Sequence, residues 1–354
     1  MMKRYKAVLA ISAALVGFGV HTPAKATNIS CGEPYVIQEG DTLGGISSRV
    51  YGTTGRWSFI WHANRSVLGR NPDRISSGVT ISLPCPSTAE RAASPTTPSL
   101  EMSSGTTSAD VISVLIGPYS PFTNRALPHS GMTSQIIAEA FDAVDQEFRV
   151  VFISDYPAHL DILLKERHFD MGHPWFNPGC DDPEMQAANP TRCEYRFSEP
   201  VFEALIQFWK RSDVPFDFVQ DSDVYGKRVC RPEGWFTHDL DSADRRWIRD
   251  QHITMVQPAN LHECFRMLLN NEVDLVSDQE LGGLEAISEL GMDDEVVALR
   301  RPVSVEAMHM LIHRSHPRAS QYLSTLNMGL EKLRSQGRID IISAEHLDRF
   351  FQGL

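Results

Sequence analysis

Thirteen histidines and six cysteines are the residues of this 354-residue chain best suited to holding a metal or acting as nucleophiles. His309 and His313 are four apart, which suits metal ligation on a helix, but the surrounding Ala-Met-His-Met-Leu-Ile-His-Arg is apolar and strand-like. On a strand the two rings share a face about 13 Å apart, too far to hold one ion. His316 stands beside Pro317 in a turn, and no two cysteines have CxxC spacing. The sequence contains no G-x-S-x-G, H-E-x-x-H, P-loop or dinucleotide fingerprint. The histidines therefore read as structural or solvated, and the chain as a binding protein with no metal and no cofactor.

The ends and the charge narrow the setting. Lys3, Arg4 and Lys6 precede an apolar run from Ala7 to Val20, and Ala24-Lys25-Ala26 follows. This is the pattern of a signal peptide, cleaved after Ala26. The run is shorter than the ~20 residues a spanning helix needs, so the expectation is an exported, periplasmic protein. Removing residues 1–26 takes away four basic and no acidic residues, moving the formal charge from −12 to −16. A chain this acidic does not suit nucleic acid, whose binding requires Lys and Arg against phosphates. Six cysteines in an oxidising compartment point to disulfides, with fifteen pairings open in principle.

The elements that must position the site begin at Tyr35. Tyr-Val-Ile-Gln reads as a strand; Gly40-Asp41-Thr42-Leu43 turns into a helical spacing through Ile46 and Tyr51. Trp57, Ile60 and Trp61 continue toward Asn64, Asn71-Pro72-Asp73-Arg74-Ile75 forms a loop, and Val79, Ile81 and Leu83 alternate before Pro84. In this strand–helix–helix–strand order and in nearly every key position, residues 35–84 resemble a LysM domain, a module that binds N-acetylglucosamine polymers. The resemblance implies a small α+β (βααβ) domain over residues 31–86 and a peptidoglycan partner. Its sugar groove would lie between Gly40, Asp41, Thr42 and Leu43 on one side and the loop carrying Asp73 and Ile75 on the other; Asp41 and Thr42 also suit a helix cap. The outer ends of its paired strands would bring Cys31 to Cys85, leaving Cys180 with Cys193 and Cys230 with Cys264 as the natural remaining pairs. Closing the first loop stabilises a small core by roughly 4 kcal/mol on the chain-entropy model.

Residues 87–108 are rich in Ser, Thr, Ala and Pro and read as a linker. Beyond it strands alternate with helices, which argues α/β architecture. Strands are expected at Val111–Ile116, Val150–Ile153, Asp274–Ser277 and Glu306–His313. Helices are expected at Ser130–Ala143, with Thr133 or Ser134 near its start, and at Leu160–Lys165, Glu263–Asn270 and Gln321–Gln336. Four local patterns then fall in order. They are the strand running into Tyr119-Ser120-Pro121-Phe122, and Phe197-Ser198-Glu199-Pro200 followed by an apolar run to Trp209. Tyr225-Gly226-Lys227-Arg228-Val229 is next, then the helix–strand Glu263 to Asp274. Together they resemble the extracellular solute-binding proteins of family 3. The resemblance implies a two-lobed, type II periplasmic-binding-protein-like domain over residues 109–354. Lobe 1 would span about 109–205 and 306–354, and lobe 2 about 210–305. Crossover strands would run near Phe202–Trp209 and Glu306–Ile312, closing by hinge motion.

The same resemblance implies a ligand set. An Arg shortly before the Phe-Ser-x-Pro pattern clamps a carboxylate through the guanidinium fork; Arg192 is the candidate and Arg196 the rival. Tyr119 and Phe122 occupy an aromatic position after the first strand, and Trp175 would line the cleft from the next strand end. Asp278 is the candidate for a ligand ammonium group. Pro232 to Thr237 would lead into a helix whose N–H groups receive an anion; there Trp235 and Phe236 are bulkier than the family's small residues and suggest a more aromatic pocket. The expected function is a peptidoglycan-associated receptor delivering a small polar, amino-acid-like solute to an ABC importer. The alternatives are a dehydratase-like enzyme on the same fold, with Glu203 or Asp278 as its acid, and a wall-bound sensory or structural factor.

Overall fold

The computed structural model describes residues 29–52, 56–69, 72, 74–85 and 111–354. The leader (1–26), the linker (87–108) and Asp73 lie outside them. At the N-terminus, β1 (Pro34–Val36) is followed by three helices: α1 (Leu43–Tyr51), α2 (Trp57–Ala63) and the short α3 (Arg65–Leu68). β2 (Thr80–Ser82) then pairs antiparallel with β1, Tyr35 opposite Ile81. Thr42 caps α1 by accepting a hydrogen bond from the Gly45 N–H. Asp41 accepts from the Tyr35 hydroxyl (2.6 Å) and from Arg49 (2.5 Å), tying the first turn to the strand. Ile37, Leu43, Ile46, Ile60, Trp61, Ile81 and Leu83 form the buried core of this module.

The strands of the larger domain are β3 (Ile112–Ile116), β4 (Phe148–Phe152), β5 (Met171–Phe176), β6 (Tyr195–Phe197), β7 (Phe202–Arg211), β8 (Arg228–Cys230), β9 (Thr254–Val256), β10 (Leu275–Gln279), β11 (Val296–Ala298) and β12 (Ser304–His313). The sheet order is β4-β3-β5-β12-β7-β10-β8-β9. On one side β4, β3 and β5 are parallel, as are β10, β8 and β9 on the other. Between them the ten-residue β7 and β12 cross from lobe to lobe and pair antiparallel from Ser304↔Ile206 to Met308↔Phe202. His309 and His313 both lie on β12.

The helices of the two lobes are α4 (Met132–Asp142), α5 (Tyr156–Ala158), α6 (Pro183–Ala188), α7 (Leu261–Leu269), α8 (Glu280–Leu290), α9 (Ala319–Ser335) and α10 (Arg338–Gly353). In α9 the buried Tyr322, Leu323, Leu326, Leu330 and Leu333 recur at helical spacing; fully burying each large apolar side chain contributes roughly 1.5–3 kcal/mol. Disulfides join Cys31 to Cys85, Cys180 to Cys193 and Cys230 to Cys264, with Cα–Cα distances of 4.7, 5.4 and 5.6 Å.

α4 begins with Thr133 and Ser134 in its first turn, as expected, after the cap Gly131, and the Thr133 hydroxyl donates to the Phe122 carbonyl. Two local expectations are corrected. No helix follows Thr237: residues 238–251 form turns. Their backbone is claimed by side chains, since Asp241 accepts from the N–H groups of Ile248 and Arg249, and such local bonds compete with helix formation. The segment from 156 to 163 is a short α-turn running into a π-turn (His159–Leu163) rather than one regular helix.

The N-terminal module packs directly on the larger domain. His62 stacks on Phe202 at 5.0 Å between centroids, Arg65 is ion-paired with Glu203, and Phe59 meets Phe351 edge-on at 6.3 Å. Leu205 of β7 and Val305 of β12, opposite each other in register, join the module's core.

Two stability predictions follow from this packing. A β-carbon on Gly329 of α9 would collide with the Ala140 carbonyl of α4. Gly329→Ala gains about 1 kcal/mol of helix propensity against an overpacking cost of about 1–3 kcal/mol, and the backbone partner cannot swing aside. The variant is expected to unfold at lower urea, and an unchanged or higher midpoint counts against this contact. His173, fully buried, sets Nδ1 against the His309 carbonyl and Nε2 against the Thr133 hydroxyl, and burial lowers its pKa to about 3. His62, buried at the interface, is lowered to about 3 in the same way. The unfolded chain thus binds protons that the native state refuses, so stability is full above pH 6.5 and falls toward pH 3, by up to about 1.4 kcal/mol per pH unit for each histidine. Urea titrations from pH 7 to 4 should show a shallower decline for His173→Gln than for the parent chain.

Candidate functional site

A cleft of about 550 Å³ opens between the lobes. Lobe 1 supplies Pro118 and Tyr119 after β3, Ser154 to Pro157 after β4, Pro174 to Phe176 at the end of β5, and Arg192; lobe 2 supplies Glu233 to Phe236 after β8. Each of these segments follows a parallel strand, except Arg192, which sits in the loop closed by the Cys180–Cys193 disulfide. Concave sites at the ends of such strands are where α/β folds hold ligands.

The walls are mostly rings. Tyr156 meets Trp175 edge-on at 5.6 Å, and Tyr119 meets Trp235 at 6.2 Å across the lobes. Phe176 and Phe236 bring the lobes to 4.4 Å at the base. The Tyr156 ring lies where a β-carbon of residue 117 would be, so only Gly117 allows it to reach the Pro118 carbonyl, to which its hydroxyl donates at 3.2 Å.

Arg192 is the cation of this cleft. Its guanidinium lies over Trp175, 5.7 Å from the ring centroid, and burial lowers its pKa. It forms no hydrogen bond or ion pair among the described residues. The contrast with Arg231 is informative. Arg231 is fully buried behind the cleft, donates twice to Asp239 (2.6 and 2.9 Å), to the Phe236 carbonyl (2.6 Å) and to the Ser277 hydroxyl (2.6 Å). Burial opposes it, yet Arg231 holds the Asp239 carboxyl below its ordinary range. That pair fixes the backbone on which Trp235 and Phe236 stand.

Of the six residues expected to touch ligand, Tyr119, Trp175, Arg192 and Trp235 line the cleft together. Phe122 is 1 % exposed and packs in the lobe 1 core against Phe202. Asp278, at the end of β10, is 2 % exposed and is not part of the cleft wall. Neither of its oxygens has a hydrogen-bond partner, and burial pushes its pKa up to about 8. Arg196 lies on β6 and donates to Ser320 outside the cleft. Tyr156, Phe176, Asp155, Arg231 and Asp239 were not singled out from the sequence. The last pair was foreshadowed by an Arg directly after an apolar strand with an Asp eight residues on.

The mouth is bridged by polar contacts. Glu184 of α6 accepts from Arg246 (2.9 Å) and Arg249 (3.0 Å) of lobe 2, and Ser120 donates to Glu285 of α8 (3.0 Å). On the N-terminal module, Gly40 to Leu43 form the turn into α1, where Leu43 is buried, and Ile75 packs against the module core.

No family model matches the chain. Among curated proteins, the potassium binding protein Kbp of Escherichia coli is 36 % identical over 63 residues, 18 % of this chain and 38 % of that protein. Solved structures align with about two thirds of the chain. The GluR0 ligand-binding core in complex with L-glutamate is 16 % identical with a TM-score of 0.51, covering 68 % of this chain and 99 % of that one. The periplasmic VFT2 domain of Bordetella pertussis BvgS is 18 % identical with a TM-score of 0.51, covering 67 % and 93 %. A histidine kinase sensor domain similar to periplasmic binding proteins is 15 % identical with a TM-score of 0.50, covering 67 % and 96 %. At such identities the likeness is one of fold: the larger domain has the two-lobed fold of type II periplasmic binding proteins.

Proposed function

We propose that this chain is an exported receptor that captures a small polar, amino-acid-like solute by its carboxylate and delivers it to an ABC importer, without covalent chemistry. One observation carries the reading: a half-buried guanidinium with no protein partner among the described residues faces a cleft between two lobes. A planar carboxylate is the ligand that matches its fork bidentately. The N-terminal module is read as a LysM domain that holds the receptor on peptidoglycan. Its paired strands flanking the helices, and its disulfide between the strand ends, support that reading.

The test is native mass spectrometry of protein purified from its own compartment, followed by denaturing release. A stoichiometric small anion is expected. Arg192→Ala should weaken its rebinding roughly 100-fold, about 2.7 kcal/mol, and Arg192→Lys less, because it keeps charge without the fork. An empty cleft with no thermal stabilisation by any carboxylate would reject the receptor reading. Co-sedimentation with isolated sacculi, competed by N-acetylglucosamine oligomers, is the matching test for the module, and no sedimentation would reject the LysM reading.

A further inference from the structure

Among small carboxylates the geometry points away from amino acids: we infer that the cleft selects an aromatic or otherwise flat, apolar-bodied monocarboxylate without an α-ammonium group. This rests on the receptor reading above and deepens it.

Two chemical features define the cavity. Arg192 is a cation without a protein counter-ion among the described residues, so the bound species brings a negative charge. Tyr119, Tyr156, Trp175 and Trp235 present ring faces and edges from both lobes, with Trp235 crossing from lobe 2 to meet Tyr119. A flat apolar body between them gains both buried area and ring–ring contacts worth about 0.5–1.5 kcal/mol each beyond that area. Nothing else in the cavity demands a second charge.

The fate of an ammonium group in this cavity decides between the classes. Stripping a cation of water costs several kcal/mol unless a carboxylate is waiting for it. Asp278, the carboxylate at the expected place, is 2 % exposed and outside the cleft wall, so neither of its oxygens is open to a bound cation. The acids at the cleft, Asp155 and Glu233, are exposed to solvent, and Asp155 also caps the Ala158 N–H at 3.1 Å. An exposed pair contributes no more than about 1 kcal/mol, and a cation over a ring about 2 kcal/mol. These gains do not offset the desolvation, and Arg192 repels a second positive charge. An aryl carboxylate avoids that cost altogether.

The test uses the full mature chain, unfolded and refolded to strip bound solute, and calorimetric titration with four probes: phenylacetate, indole-3-acetate, L-tryptophan and L-glutamate. The aryl acetates should bind at least tenfold tighter than either amino acid and quench the fluorescence of Trp175 and Trp235. Arg192→Ala should lose that binding roughly 100-fold, with Arg192→Lys as the folded control of intermediate affinity. Asp278→Asn should leave aryl-acetate affinity within twofold. If L-tryptophan or L-glutamate binds as tightly as the aryl acetates, or if Asp278→Asn abolishes binding, the inference is overturned while the receptor reading stands. If no probe binds and the native protein carries no solute, both fail.

Discussion

The pairing of β7 with β12 is the constraint on which the rest of this structure hangs. These two strands carry the chain from lobe 1 to lobe 2 and back, and their backbone hydrogen bonds run from Ser304↔Ile206 to Met308↔Phe202. β5 and β6 attach to β12 on the lobe 1 side, β10 and β11 to β7 on the lobe 2 side. The cleft lies between the two halves of one sheet, which this ladder joins. A one-residue slip would invert every side chain along it, taking Phe202, Ala204 and Ile206 out of the core they share and misplacing both walls of the site. Register here sets the geometry of the cleft before any of its lining residues is considered.

Around that ladder, charge is handled in two opposite ways. Arg231 and Asp239 are desolvated together, and four donated hydrogen bonds from the guanidinium satisfy the carboxylate, a carbonyl and a hydroxyl. Breaking such a pair strands a buried charge at a cost of about 3–5 kcal/mol. It therefore behaves as framework. Arg192 is half-buried at the cleft and rests against the face of Trp175, with no carboxylate beside it among the described residues. The same residue type is structural where its partners are built in and receptive where they are missing. Buried Asp278 is a third case, relieved by taking up a proton rather than by finding a partner.

Much of the fold was legible because its elements carry strong local patterns. The apolar runs of β3 and β12 and the helical spacing of α4 and α9 appear in the sequence at nearly the positions observed. Arg192, Trp175, Tyr119 and Trp235 could be nominated because each sits next to a recognisable pattern. What stayed hidden depends on contacts distant in sequence. Tyr156 enters the cleft because Gly117, thirty-nine residues earlier, leaves room for its ring. The turns after Thr237 are set by Asp241 and Arg231 rather than by local propensity. Phe122 and Asp278 follow their strands as expected, but whether such a side chain faces the cleft or the interior is decided by the partner strand, which no local pattern reveals.

The seating of the N-terminal module has a mechanical consequence. Leu205 and Val305, cross-strand neighbours one pair from the Ser304↔Ile206 end of the ladder, are shared with its core, and Phe202 and Glu203 are held by His62 and Arg65. The module therefore braces nearly the whole ladder, and the first crossover contacts free of it are those beyond residue 206, where Val303 donates to Ile206 and Leu299 to Phe208. Any opening of the cleft would then move lobe 2 against a unit made of lobe 1 and the module.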